Sequence, residues 1–98
     1  MKTVLCDRLG IDLPIIQAPI GGAAGAPLAA AVSDAGGLGT VAVTGFGAEV
    51  AREKIHEVRA STSKPFSTNL LMSFPYEEEL EVCLEERVPV VSFFWGDP

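Results

Sequence analysis

Four short apolar runs recur along this 98-residue chain at intervals of about 25 residues, and a helix-like pattern fills each interval. The runs are Pro14 to Ala18, Gly39 to Thr44, Phe66 to Met72 and Pro89 to Trp95. The last of them is apolar at successive positions through Val90, Val91, Phe93 and Phe94. A strand that carries apolar residues on both faces belongs to a parallel sheet covered by helices. The order β-α-β-α-β-α-β therefore predicts an α/β protein with a parallel sheet and crossover helices. Two architectures satisfy it: four strands of a (β/α)8 barrel, or a small open doubly wound sheet.

The helices follow from spacing and punctuation. Residues Thr3 to Leu13 suit a short helix and a turn at Gly10. Pro27 fits the first turn of a helix, where its missing N–H is not needed. Leu28, Ala31, Val32 and Ala35 then recur at helical spacing and predict the buried stripe, and Gly36-Gly37 stops the helix. The alanines around that stripe are small enough to let the helix lie close against a sheet. A second helix is expected from Ala48 to Ala60, with Ala48, Ala51, Ile55 and Val58 inward and Arg52, Glu53, Glu57 and Arg59 outward. Pro75 and three glutamates open a third, with Leu80, Cys83, Leu84 and Val88 expected inward.

Charge and length exclude several function classes. The net charge of −6 leaves no basic stripe for nucleic acid. Much of it sits in Glu77, Glu78, Glu79, Glu81, Glu85 and Glu86, read as a solvated helix face and not a metal site. No apolar run approaches the ~20 residues of a membrane span, and the first residues are too short an apolar stretch for a signal peptide. A cytoplasmic location is expected, with Cys6 and Cys83 as two reduced thiols lacking ligand-type spacing. Residues 1–98 read as a single partial domain: the chain ends on Trp95-Gly96-Asp97-Pro98 at a strand tip, with no helix after it. Half a barrel would expose unpaired strand edges and its interior face, which makes self-association an expectation.

The chemistry-bearing residues are few. Thr44-Gly45-Phe46-Gly47-Ala48-Glu49-Val50 follows a strand and opens a helix, as a dinucleotide fingerprint would. Val50, however, stands at the third glycine position, where bulk obstructs helix–strand packing, so a plain tight turn is the better reading. Asn69 lies late in an otherwise apolar strand, where an amide costs stability unless its donors and acceptor are paired. Binding groups of parallel barrels cluster at that end of the strands, and an amide there can pair with a carbonyl and an N–H of a planar heterocycle. The alternative is a side chain that caps the next loop. Ala18-Pro19-Ile20-Gly21-Gly22 offers no acid, base or nucleophile; its small residues and exposed backbone would let a flat ring approach. Gln17 suits either a ligand or a bond to the neighbouring strand, His56 an ordinary surface position, and Trp95 a pocket wall or a helix contact. No Ser/His/Asp set, HExxH, CxxC or Walker loop is present, and the catalytic residues stay unassigned.

Three strings carry a resemblance. Leu9-Gly10-Ile11-Asp12-Leu13-Pro14-Ile15-Ile16-Gln17-Ala18-Pro19-Ile20 resembles the start of the nitronate monooxygenase family, formerly nitropropane dioxygenases. So do Leu28-Ala29-Ala30-Ala31-Val32-Ser33-Asp34-Ala35-Gly36-Gly37-Leu38-Gly39 and Lys64-Pro65-Phe66-Ser67-Thr68-Asn69-Leu70, in the family's order and spacing. The family also contains a flavin-dependent enoyl-ACP reductase. The resemblance implies the N-terminal half of a TIM barrel that binds FMN at the carboxyl ends of its strands. Ala18, Pro19 and Ile20 would then lie against the flavin ring and the Asn69 amide would hydrogen-bond it. It further implies oxidation of alkyl nitronates with O2, or, in the reductase branch, passage of electrons from NAD(P)H to an enoyl thioester. Many members have Met where Ile20 stands, which keeps an apolar contact. The family's phosphate loops and its histidine base lie in the later barrel and have no counterpart here, so a half barrel inactive on its own is the third expectation.

Overall fold

In a computed structural model of the chain, the residues described are 3–18, 25–45, 47–73 and 75–94. The elements run α1 (Val4–Leu9), α2 (Ala26–Asp34), β1 (Gly39–Ala42), α3 (Ala48–Ser61), β2 (Phe66–Leu71), α4 (Glu77–Glu85) and β3 (Val90–Phe94). The three strands are parallel and lie side by side in sequence order. Valines and a leucine on one face of the sheet (Val41, Val43 and Leu70) join Ala29, Ala51, Ile55, Val58, Val82 and Cys83 from all three crossover helices in one buried core. Each valine, leucine or isoleucine among them contributes on the order of 1.5–3 kcal/mol by leaving water. Sequential strand order with the helices on a single face is barrel curvature; a doubly wound sheet reverses its order and spreads helices over both faces.

The first expected strand is shorter than the apolar run suggested. Ile16 forms an isolated parallel bridge to Leu38, with Leu38 N–H donating to the Ile15 carbonyl and Gln17 N–H to the Leu38 carbonyl. The next rung of a parallel ladder would take Thr40 N–H to the Gln17 main chain. That N–H goes instead to the Gln17 side-chain oxygen at 3.2 Å, and no further rung follows among the described residues.

The inward face of α2 also differs from the expected stripe. Ala26, Ala29, Ala30 and Ser33 are buried, while Leu28, Ala31 and Ala35 face solvent and Val32 is half-buried. The reason is the closeness of β1. A Cβ built on Gly39 would stand 1.9 Å from the Ala29 carbonyl oxygen, so only the helix's smallest side fits against the strand. The Ser33 hydroxyl accepts from Gly39 N–H at 2.9 Å and fixes that approach. Along α3, Ala51, Ile55 and Val58 are buried as the spacing predicts, and Ala48 is partly buried.

On α4 the inward residues are Glu79, Val82 and Cys83, with Leu80 and Val88 packed beside them. Leu84, expected inward, is 66% exposed. The acidic face is not uniformly solvated either: Glu79 is buried, and Glu86 ties α4 to α3 through Arg52, His56 and Arg59. Cys6 and Cys83 are buried and form no disulfide.

Candidate functional site

The face of the sheet opposite the three helices is concave. Because side chains alternate along a strand, Val41 and Val43 point to the helices while Leu38 and Thr40 point the other way. There Cys6, Ile11 and Leu38 form a second small core, with Leu9 and Val90 against it, so α1 seals the amino end of this face. Above that seal opens a groove of about 360 Å³, bounded by Leu5, Leu9 and Ile16 and by the polar residues Gln17, Thr40, Ser67 and Ser92. Ala18 stands at its edge.

Two polar atoms on this face lack a partner among the described residues: Gln17 Nε2 and Thr40 Oγ1. Thr40 is 2% exposed, so its hydroxyl is a desolvated donor and acceptor facing an apolar wall. Gln17 thus meets the expectation of a bond to the neighbouring strand through its oxygen, and leaves its nitrogen to the groove.

Asn69 is buried, in register with Ala42 and Ser92. Its Oδ1 accepts from the Ser92 hydroxyl at 2.9 Å, and Ser92, not Asn69, lines the groove. Ala18 and the Asn69–Ser92 pair therefore meet at one concavity. Pro19 and Ile20, the other two residues expected to touch a ligand ring, lie outside the described residues, as does Trp95. Ser92 went unnoticed in the sequence because its strand reads as apolar. The usable signal was a hydroxyl facing Asn69 across one register step.

At the carboxyl end of β1 the chain turns sharply into α3. Thr44 Oγ1 accepts from Leu71 N–H at 2.7 Å, and Glu79 Oε1 accepts from Gly45 N–H at 3.3 Å. Among the described residues, the three strands run in sequence order, without the reversal at which a dinucleotide crevice forms.

Cys83, His56 and Glu86 lie on the helical side. Burial pushes the Cys83 thiol up, and its contact with the Thr68 hydroxyl at 3.2 Å works in the opposite direction. His56 is exposed, as expected, with Nε2 2.8 Å from Glu86 Oε1. That contact and the Arg52 guanidinium hold the Glu86 carboxyl below the usual carboxylate range. Among the described residues, no three His, Cys, Asp or Glu side chains gather as metal ligands, and no helix is long and apolar enough to cross a membrane.

The profile of the family described as "Nitronate monooxygenase" matches residues 2–92. A nitronate monooxygenase of Pseudomonas aeruginosa is 57% identical over 93 residues, which span 92% of this chain and 26% of that protein. FabK from Thermotoga maritima superposes with a TM-score of 0.96 at 39% identity, over 100% of this chain and 32% of that one. A nitroalkane oxidase from Streptomyces ansochromogenes superposes at 0.86 with 32% identity, over 98% of this chain and 37% of its own. The two solved structures are TIM-barrel enzymes, so the parallel strands and helices here correspond to part of such a barrel. The chain spans about a quarter of the length of the curated relative and about a third of the solved ones. By the profile match across nearly its whole length, this chain belongs to the nitronate monooxygenase family, a family of oxidoreductases.

Proposed function

We propose that residues 1–98 form the first half of an FMN-binding barrel whose reaction is the oxidation of alkyl nitronates with O2. The observation that carries this reading is the 57% identity to a nitronate monooxygenase over nearly the full chain. The family is generally flavin-dependent, and the groove suits a flat heterocycle. Its walls are apolar, while Gln17 Nε2 and Thr40 Oγ1 are buried polar atoms without partners, which a ring bearing carbonyl and N–H groups would satisfy. When bound, the flavin supplies the electron transfer, and the protein supplies orientation and electrostatics.

In this reading Ala18, Pro19 and Ile20 shape the wall nearest the ring, and Asn69 fixes its register. Ser92 acts through Asn69: by donating to Oδ1 it fixes which end of the amide is the acceptor and turns the N–H end away from itself. The protein is expected to work in the cytoplasm on a small-molecule substrate. Unpaired sheet edges favour self-association wherever the rest of a barrel is not present to cover them.

The first test is Asn69→Ala in the full-length protein. FMN affinity should fall, and retention of flavin equal to wild type would sink the role of Asn69. A second reading keeps the flavin and changes the reaction to NAD(P)H-dependent reduction of an enoyl thioester, since enzymes of the family work with either O2 or NAD(P)H. Nitronate-dependent O2 uptake, measured against NADH-dependent enoyl reduction, separates the two.

A further inference from the structure

We propose that Glu79 is a positioning residue for the ligand-bearing end of the sheet, its carboxylate holding the turn after β1 that bounds the path of a flavin. The inference rests on the FMN reading above and deepens it.

Three glutamates open α4, and Glu77 and Glu78 lie in solvent as an acidic first turn should. Glu79 does not: it is 5% exposed. Burying a carboxylate is costly unless it is paired, so apolar packing does not account for its place. The amino end of α4 favours the negative charge. The partner it reaches is the backbone N–H of Gly45, 34 residues earlier, at the carboxyl end of β1.

Among the described residues, Lys54 Nζ also reaches the Ala42 carbonyl just before the turn, at 3.3 Å. Gly45 and Gly47 both have φ of 88°, and a Cβ on either would meet nothing within 4 Å. Glycine is there for its backbone angle and not for lack of room. Among the described residues, two long-range hydrogen bonds reach the turn: Gly45 N–H donates to the Glu79 carboxylate, and Leu71 N–H donates to the Thr44 hydroxyl.

Strand order makes the turn matter. The Ile16–Ala18 segment lies on one side of β1 and β2, with Asn69, on the other. A ligand that touches Ala18 and Asn69 together must pass over the carboxyl end of β1. The turn fixed by Glu79 begins two residues beyond Ala42, the residue of β1 in register with Asn69, and so bounds that path at its carboxyl side.

The test compares Glu79→Gln, Glu79→Asp and Glu79→Ala in the full-length protein, by amide exchange at Gly45 and by FMN affinity from fluorescence quenching. An amide oxygen can replace the carboxylate as acceptor, so Glu79→Gln should stay within about twofold of wild type in both. Glu79→Asp keeps the charge but draws the oxygen back, and Glu79→Ala removes it. Both should speed exchange at Gly45, leave Leu70 protected, and weaken FMN about tenfold, equivalent to about 1.4 kcal/mol. If the alanine variant does not fold, the aspartate variant decides. Unchanged Gly45 exchange in the aspartate and alanine variants would overturn the clamp, and faster exchange with unchanged FMN affinity would overturn its link to the ligand. A glutamine variant as impaired as alanine would also overturn it. Wild type that binds no FMN would refute the flavin reading itself, while Gly45 exchange would still decide the clamp.

Discussion

Gly39→Ala is the substitution for which the structure gives the sharpest magnitude. The new Cβ would sit 1.9 Å from the Ala29 carbonyl oxygen, 2.6 Å from its carbonyl carbon and 2.8 Å from its Cα. All three atoms are backbone, so no side chain can rotate away. Ordinary contact begins at 3.4 Å, which requires α2 to retreat from β1 by about 1.5 Å. The retreat breaks the Ser33–Gly39 hydrogen bond and leaves a buried N–H unpaired, at about 1–3 kcal/mol. It also loosens Ala26 and Ala29 from Val41 in the core, a strain of about 1–3 kcal/mol on the scale of overpacked interiors. A total loss of about 3 kcal/mol is a large share of a domain stability of about 5–15 kcal/mol. Urea unfolding followed by far-UV circular dichroism should show the midpoint falling by about 1–3 M at an m-value of about 1–3 kcal/mol/M. A midpoint within about 0.3 M of wild type would refute the close approach, since even an unstrained helix cannot accommodate a methyl group in that gap.

Two other outcomes follow from the helical side. Because its partners lower the folded-state pKa of Glu86, the carboxylate stabilises the fold above the ordinary glutamate value, about 4.3, and that contribution is lost as pH falls through the folded value. Glu86→Gln should therefore flatten the acid limb of a stability–pH profile below about pH 4.3, and an unchanged limb would show the pairing to be inert. Cys83, buried and with its thiol pushed up, should resist iodoacetamide in the folded chain and react once urea is added. Mass spectrometry showing equal labelling rates in the two states would contradict its burial.

Periodicity made the crossover pattern legible, because helix and strand spacings differ and glycine pairs punctuate them. It located α3 to within a residue of its end and chose Ala51, Ile55 and Val58 correctly. It failed where a third body set the answer. The buried side of α2 is decided by the absence of a Cβ at Gly39, a residue outside the helix. On α4, Glu79 is buried and reaches Gly45 N–H while Leu84 faces out, a contact between residues 34 apart that spacing cannot show. Pairs behave the same way: Asn69 was visible as an isolated amide in an apolar strand, but its hydroxyl partner Ser92 emerges only from the register between β2 and β3. The family resemblance supplied what spacing alone could not, namely an expected ligand for a loop without acid, base or nucleophile.

The substitution of Gln17's side chain for its own carbonyl bears on how the site keeps its mouth open. A backbone rung locks two chains at fixed separation, and one rung invites the next, so a seam between strands tends to close along its length. An amide on a flexible stem satisfies the same N–H without holding the backbone to that separation. It works like a stop sewn across a seam: the Ile16 chain can diverge from β1 just where Ala18 reaches the groove, and Thr40 N–H is not left bare. A single side chain thus sets where the wall parts from the sheet: its oxygen fixes the aperture, while its nitrogen stays turned to the groove.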